Sequence, residues 1–116
     1  MIAGIGVDLC SIERLQESIK RTPQLLERLF HVSERNLKPE SLAARFAVKE
    51  ALAKAVGNPK VLTWNEISLT KDSHGKPSLE LHGATKVNFE KLGLTAAHLS
   101  ISHDAGVAIA MIVLES

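Results

Sequence analysis

The sequence predicts an α+β domain with a mostly antiparallel sheet, in the order strand, three helices, β-hairpin, helix, β-hairpin. Three observations carry this. An opening segment, Ile2 to Cys10, is rich in β-branched residues. A central segment, Glu40 to Val56, has strong helix formers throughout. Beyond Pro59 the apolar residues alternate with polar ones in runs broken by short turns, the pattern of hairpins.

Gly4 and Gly6 interrupt the first strand, which marks it as one that another element approaches closely. Asp8 falls where this strand gives way to a helix. Ser11 is placed to cap a helix over 12–21, with Ile12, Leu15 and Ile19 on one face and Glu13, Arg14, Glu17, Lys20 and Arg21 on the other. Thr22-Pro23 restarts the chain as N-cap and first residue of a short helix ending at Phe30. After a connection over 31–39, the helix 40–56 contains neither Gly nor Pro and stops at Gly57. Strands at 65–70 and 77–82 flank the turn Asp72-Ser73-His74-Gly75. Residues 83–93 form a fourth helix, and strands 98–103 and 107–114 pair around Asp104-Ala105-Gly106. The last run is apolar on both faces, which predicts a central, buried strand.

A length of 116 residues suits one domain over 1–116. The net charge is only +1 and aromatic residues make up 3%, so neither the basic excess nor the stacking platforms of a nucleic-acid binder are present. Cys10 is the single cysteine, which excludes an intrachain disulfide and a multi-cysteine zinc site and suits a reducing cytoplasm. The N-terminus lacks the basic and long apolar regions of a signal peptide, and the longest apolar run, Val107 to Leu114, is far short of a membrane span. Charge is unevenly spread. Residues 1–60 hold ten Lys/Arg against seven Asp/Glu, and residues 61–116 hold four against six. A basic half carrying Arg14, Lys20, Arg21 and Arg28 on successive helices fits an acidic partner, or an ordinary mixed surface.

Several residues are candidates for chemistry. Asp8 is either a site residue at a strand end or a surface carboxylate beside a helix N-terminus. Gly4-Ile5-Gly6 is no dinucleotide fingerprint, because Leu9 stands where the third glycine would be. Glu50 and Lys54, four apart on the long helix, share a face with Phe46; they form either an exposed i,i+4 ion pair or part of a site with Asp8. Two carboxylates without a histidine at ligand spacing suit Mg²⁺, which completes its shell with water and phosphate oxygens. Lys54 then brings positive charge to a phosphate or a departing oxygen. Ser102-His103-Asp104 is not a hydrolytic triad, since neighbouring strand residues point to opposite faces. His103 shares its face with Leu99 and Ile101, as a strand-end histidine packed at the core margin does.

Taken together, Gly4-Ile5-Gly6-Val7-Asp8-Leu9, Ile12-Glu13-Arg14, Arg45-Phe46-Ala47-Val48-Lys49-Glu50-Ala51 with Lys54 and Gly57, Trp64-Asn65-Glu66-Ile67, Gly75-Lys76-Pro77 and Ser100-Ile101-Ser102-His103-Asp104 resemble the holo-[acyl-carrier-protein] synthases, the small 4′-phosphopantetheinyl transferases. The motifs follow the family order over nearly the whole chain. The resemblance implies that fold, and transfer of 4′-phosphopantetheine from coenzyme A to a serine of apo acyl carrier protein, in the service of fatty acid biosynthesis. It implies Mg²⁺ on Asp8 and Glu50, Lys54 at the pyrophosphate and leaving group, and Glu50 as candidate base. It places Arg45 and His103 near the adenosine and its 3′-phosphate, and Arg14 and Arg21 on the helix that docks the carrier. It further implies a homotrimer with sites between subunits, in which Asp8 and Glu50 can meet across an interface. Two segments depart from the family pattern: His31 replaces a threonine after Phe30, ahead of a short stretch from Glu34 to Ser41, and Asn58-Pro59 replaces Thr-Gly after Gly57. From the residues alone, a non-catalytic module that binds an acidic protein and another Mg²⁺-dependent nucleotide enzyme stay open.

Overall fold

In the computed structural model, which describes residues 1–116, strand β1 (Ile2–Ser11) pairs antiparallel with the last strand, β5 (Val107–Glu115). β5 in turn pairs antiparallel with β4 (Ala96–Asp104), so the sheet order is β1-β5-β4. β2 (Ile67–Lys71) and β3 (Pro77–Leu81) form a separate antiparallel hairpin. The helices are α1 (Ile12–Arg21), α2 (Leu25–Leu29), α3 (Pro39–Val56) and α4 (Gly83–Lys91). The α+β class and the order of elements are as predicted; the strands divide between two sheets, with β3 lying beside β4 without sharing its ladder.

The packing of α3 on the sheet is set by small residues. Ala44, Ala47, Ala51 and Ala55 face the sheet, which answers with Gly4, Gly6, Ala108 and Ala110. A Cβ built on Gly6 meets the carbonyl oxygen of Ala51, and one on Gly4 meets that of Ala55. No side chain fits between β1 and α3. The glycines are therefore required for space, and the close approach read from the sequence is made by this helix.

Local signals explain most element ends. Ser11 Oγ accepts the Arg14 N–H at 3.2 Å, capping α1, while Gly57 ends α3 with φ +82°. α2 begins later than expected. Thr22 closes α1 by donating its N–H to Ser18 O and accepts the Leu25 N–H in a single turn through Pro23, after which the helix proper begins at Leu25. In the first hairpin turn, Asp72 Oδ1 accepts the N–H groups of His74 and Lys76 at 2.8 and 2.9 Å. The β4–β5 turn places Ala105 at φ +52° and Gly106 at φ +78°, the left-handed pair of a two-residue hairpin. A methyl side chain is disfavoured there, so Ala105→Asn is expected to gain about 1 kcal/mol, read from the urea midpoint. An unchanged midpoint would count against a strained turn.

β5 is central, as predicted, but buried on one face only. Ala108, Ala110, Ile112 and Leu114 point toward the core, whereas Ile109 and Met111 remain 38% and 43% exposed. The ladder sets these opposite exposed residues of β1: Val7 faces Met111 and Leu9 faces Ile109, with Ile5 opposite Val113. The outer face of β1 and β5 is thus an apolar surface, bordered on β4 by the polar residues His98, Ser100 and Ser102. The two-faced pattern of β5 arises because its own outward residues, Ile109, Met111 and Val113, are apolar although no element of the chain is laid over them.

Both segments that depart from the family pattern are locally satisfied. His31 caps a single 3₁₀ turn, Val32–Glu34: its Nδ1 accepts the Ser33 N–H at 3.2 Å, and Glu34 Oε1 accepts the His31 N–H at 3.0 Å. The imidazole also stacks on His82, ring centres 4.2 Å apart. After Gly57, Asn58 Oδ1 accepts the Lys60 N–H and opens another 3₁₀ turn. Burial first, then His82, holds the His31 imidazole below its ordinary pKa of 6.5. The folded state then binds fewer protons there than the unfolded chain, so this contribution to stability is complete above pH 6.5 and is lost as pH falls through the depressed value. His31→Thr is expected to flatten the acid side of a Tm against pH curve; an acid limb of unchanged slope would contradict this.

Candidate active site

Asp8 lies within β1 rather than at its end, opposite Ala110 on the face shared by Gly4 and Gly6. The glycines that let α3 approach also bring its Glu50–Lys54 side next to Asp8. Lys54 Nζ donates to Asp8 Oδ1 at 2.8 Å and to Val7 O at 3.0 Å. Of the two arrangements open to Lys54, the i,i+4 pair with Glu50 is not made; the lysine reaches across to Asp8 on the strand. Glu50 is partly buried beside the two. Its carboxyl pKa is raised, first by burial and then by the charge of Asp8, against the opposing pull of Lys54. Asp8 and Glu50 therefore meet within one chain, which corrects the expectation that an interface brings them together.

Cys10 lies behind this cluster. Burial, Asp8 and Glu50 push its thiol pKa up to about 11, so it stays protonated and unreactive at neutral pH. The two carboxylates and the lysine are left as the chemically available groups. The residues fit a hard cation: two oxygen donors whose mutual repulsion is already visible in the raised pKa of Glu50, with no soft ligand beside them but a protonated thiol.

Arg45 and His103 share a different region, a cleft of about 240 Å³ between the start of α3 and the β2–β3 hairpin, with Glu40, Ser41 and Lys71 also on its wall. His103 is exposed along this cleft, not packed at the core margin, because it lies at the exposed β4–β5 hairpin end. Arg14 and Arg21 stand exposed on α1, neither in an ion pair. Arg14 borders a groove of about 360 Å³ whose apolar wall includes Leu9, Leu25, Leu29 and Phe46.

Sequence reasoning missed Glu34 and Lys49. Both are 1% exposed. Lys49 Nζ donates to Glu34 Oε1 and to Leu29 O, each at 2.7 Å, and stands 4.9 Å over the Phe30 ring. The signal was available: α3 is apolar on nearly all sides, so a lysine between Val48 and Glu50 falls inside the buried arc and requires a partner.

Comparison with known proteins sets the class first. A family model described as the 4′-phosphopantetheinyl transferase superfamily matches residues 4–111. A holo-[acyl-carrier-protein] synthase of Clavibacter sepedonicus is 49% identical over 115 residues, spanning 99% of this chain and 97% of that protein. The crystal structure of the holo-[acyl-carrier-protein] synthase of Neisseria meningitidis superimposes with a TM-score of 0.91 at 33% identity, with all of both chains covered. That of Helicobacter pylori, in complex with coenzyme A, gives 0.83 at 37% identity, covering 96% of this chain and 99% of the other. The chain belongs to the holo-[acyl-carrier-protein] synthase family, and it is a transferase.

Proposed function

We propose that this enzyme, as one domain over residues 1–116, transfers the 4′-phosphopantetheine arm of coenzyme A to a serine hydroxyl of an apo acyl carrier protein, releasing adenosine 3′,5′-bisphosphate, in the cytoplasmic supply of carrier for fatty acid synthesis. The observation that carries the chemistry is the Asp8, Glu50 and Lys54 cluster at the contact of β1 with α3. The serine oxygen forms a bond to the β-phosphorus while the bond from that phosphorus to the bridging oxygen breaks. Positioning and charge neutralisation are the main demands of such a displacement.

Asp8 and Glu50 would hold Mg²⁺. When bound, the cation neutralises charge on the pyrophosphate. Lys54, anchored by Asp8 and by Val7 O, presents its ammonium to the pyrophosphate and to the departing oxygen. Glu50, directly or through a water, is the acceptor proposed for the serine proton. Arg45 and His103 are read as binding the adenosine end and its 3′-phosphate in their shared cleft.

The partner surfaces follow. Arg14 and Arg21 offer unpaired positive charge to an acidic carrier, beside the apolar groove of Leu25, Leu29 and Phe46. Arg14→Glu with Arg21→Glu is expected to raise KM for the carrier at least tenfold, with KM for coenzyme A unchanged, and to weaken the salt dependence. Equal KM for the carrier would remove this surface. The uncovered apolar face of Ile5, Val7, Leu9, Ile109 and Met111 supports self-association, which we read as a homotrimer. No helix is long and apolar enough to cross a membrane.

The function is tested by incubating the protein with coenzyme A and candidate apo carriers, with and without Mg²⁺, and weighing the intact carriers. A gain of one phosphopantetheinyl group only with Mg²⁺ is expected. No gain on any carrier, from folded protein, would sink the reading.

A further inference from the structure

We propose that Glu34 positions Arg45 for the phosphate it binds, and thereby sets the preference of the cleft for a phosphorylated adenosine end. The inference rests on the reading of Arg45 given above. Glu34 is fixed from three sides. Its Oε1 accepts from Lys49 Nζ at 2.7 Å and from the His31 N–H at 3.0 Å, and the Lys49 ammonium is itself tied to Leu29 O. The other oxygen, Oε2, faces Arg45 Nε at 3.4 Å.

Neither Oε2 nor Nε has a completed hydrogen bond, although both are buried. Leaving such a pair unmade is costly, and a small rotation of the guanidinium completes it. Arg45 Nη1 meanwhile donates to Ser41 O at 3.4 Å, on the cleft wall, while Nη2 has no protein partner. Closure of Nε on Glu34 therefore leaves Nη2 and the adjoining edge of the guanidinium for a ligand.

Charge counts point the same way. Lys49 already neutralises Glu34 in the buried pair, so the charge of Arg45 is in excess. Lys71 and His103 add donors on the cleft wall, and Glu40 is the one acid there. An anion is the ligand that such a site takes, and a guanidinium held on one edge recognises phosphate by the other. A buried pair kept only for stability would require Lys49 and Glu34 but not the second cation.

The test compares coenzyme A with its 3′-dephospho form as substrates, with Mg²⁺ and carrier saturating. Because E34Q leaves the Lys49 ammonium buried without its counter-charge, E34Q/K49M, which removes that charge, is measured alongside. The expected result in both is a KM for coenzyme A raised about tenfold, with KM for the dephospho form and both kcat values within about twofold of wild type. R45A is expected to abolish the difference between the two substrates. If R45A keeps that difference, the reading of Arg45 itself fails. If R45A loses it while E34Q/K49M keeps a wild-type KM for coenzyme A, or raises both KM values alike, the role of Glu34 is overturned and that of Arg45 stands.

Discussion

Gly6→Ala is expected to lower stability by about 3 kcal/mol or more and to remove most transferase activity. The backbone at Gly6 is extended, so the effect does not come from conformational freedom. It comes from space: the new methyl group meets the Ala51 carbonyl, which belongs to the hydrogen-bonded ladder of α3 and cannot rotate away as a side chain would. Strand and helix must separate, and Asp8, two residues along the same face, moves with the strand. Its 2.8 Å bond to Lys54 is the contact most directly broken. Urea unfolding followed together with kcat/KM checks both consequences. A wild-type midpoint would show that the interface yields more easily than the packing of backbone on backbone implies.

The second large effect is at Glu50. Glu50→Gln keeps the shape of the side chain and removes its charge, and transfer is expected to fall roughly a hundredfold or more. Stability should move in the opposite direction. The carboxyl pKa of Glu50 is raised by burial and by Asp8, so the folded state holds that proton more tightly than the unfolded chain does. Above the raised value the ionised group opposes folding, and it ceases to do so as pH falls through that value. Without added divalent cation, Glu50→Gln is therefore expected to melt higher than wild type at neutral pH. Loss of activity together with a higher Tm separates a catalytic role from misfolding. A lower Tm would argue that Glu50 makes a stabilising contact instead.

Periodicity made the architecture legible because each element buries a face with its own repeat. Gly4 and Gly6 could be read as a close approach, but not which element approached. The family motifs located Asp8, Glu50 and Lys54, yet spacing alone left the partner of Lys54 open between Glu50 and Asp8. Spacing along one helix offered Glu50, while the bond actually made runs to a strand 46 residues away, which no local pattern encodes. The start of α2 was misplaced because Thr22 serves equally well to end one helix or begin another. Glu34 and Lys49 were passed over for a related reason: a charged residue in a helix is ordinarily read as solvated, and only the all-round burial of α3 reverses that.

The pairing of β1 with β5 also bears on when the enzyme becomes competent during its synthesis. Asp8 stands opposite Ala110, and β1 has no other ladder partner. The helices and the β2–β3 hairpin rest on nearer contacts and can form as the chain emerges. Closing the first strand onto the last is a long-range step, of the kind that slows folding. Until residues 107–115 leave the ribosome, β1 has no strand beside it, and only its contact with α3 places Asp8 against Glu50. The strand that completes the sheet beneath the site is thus the last to be made.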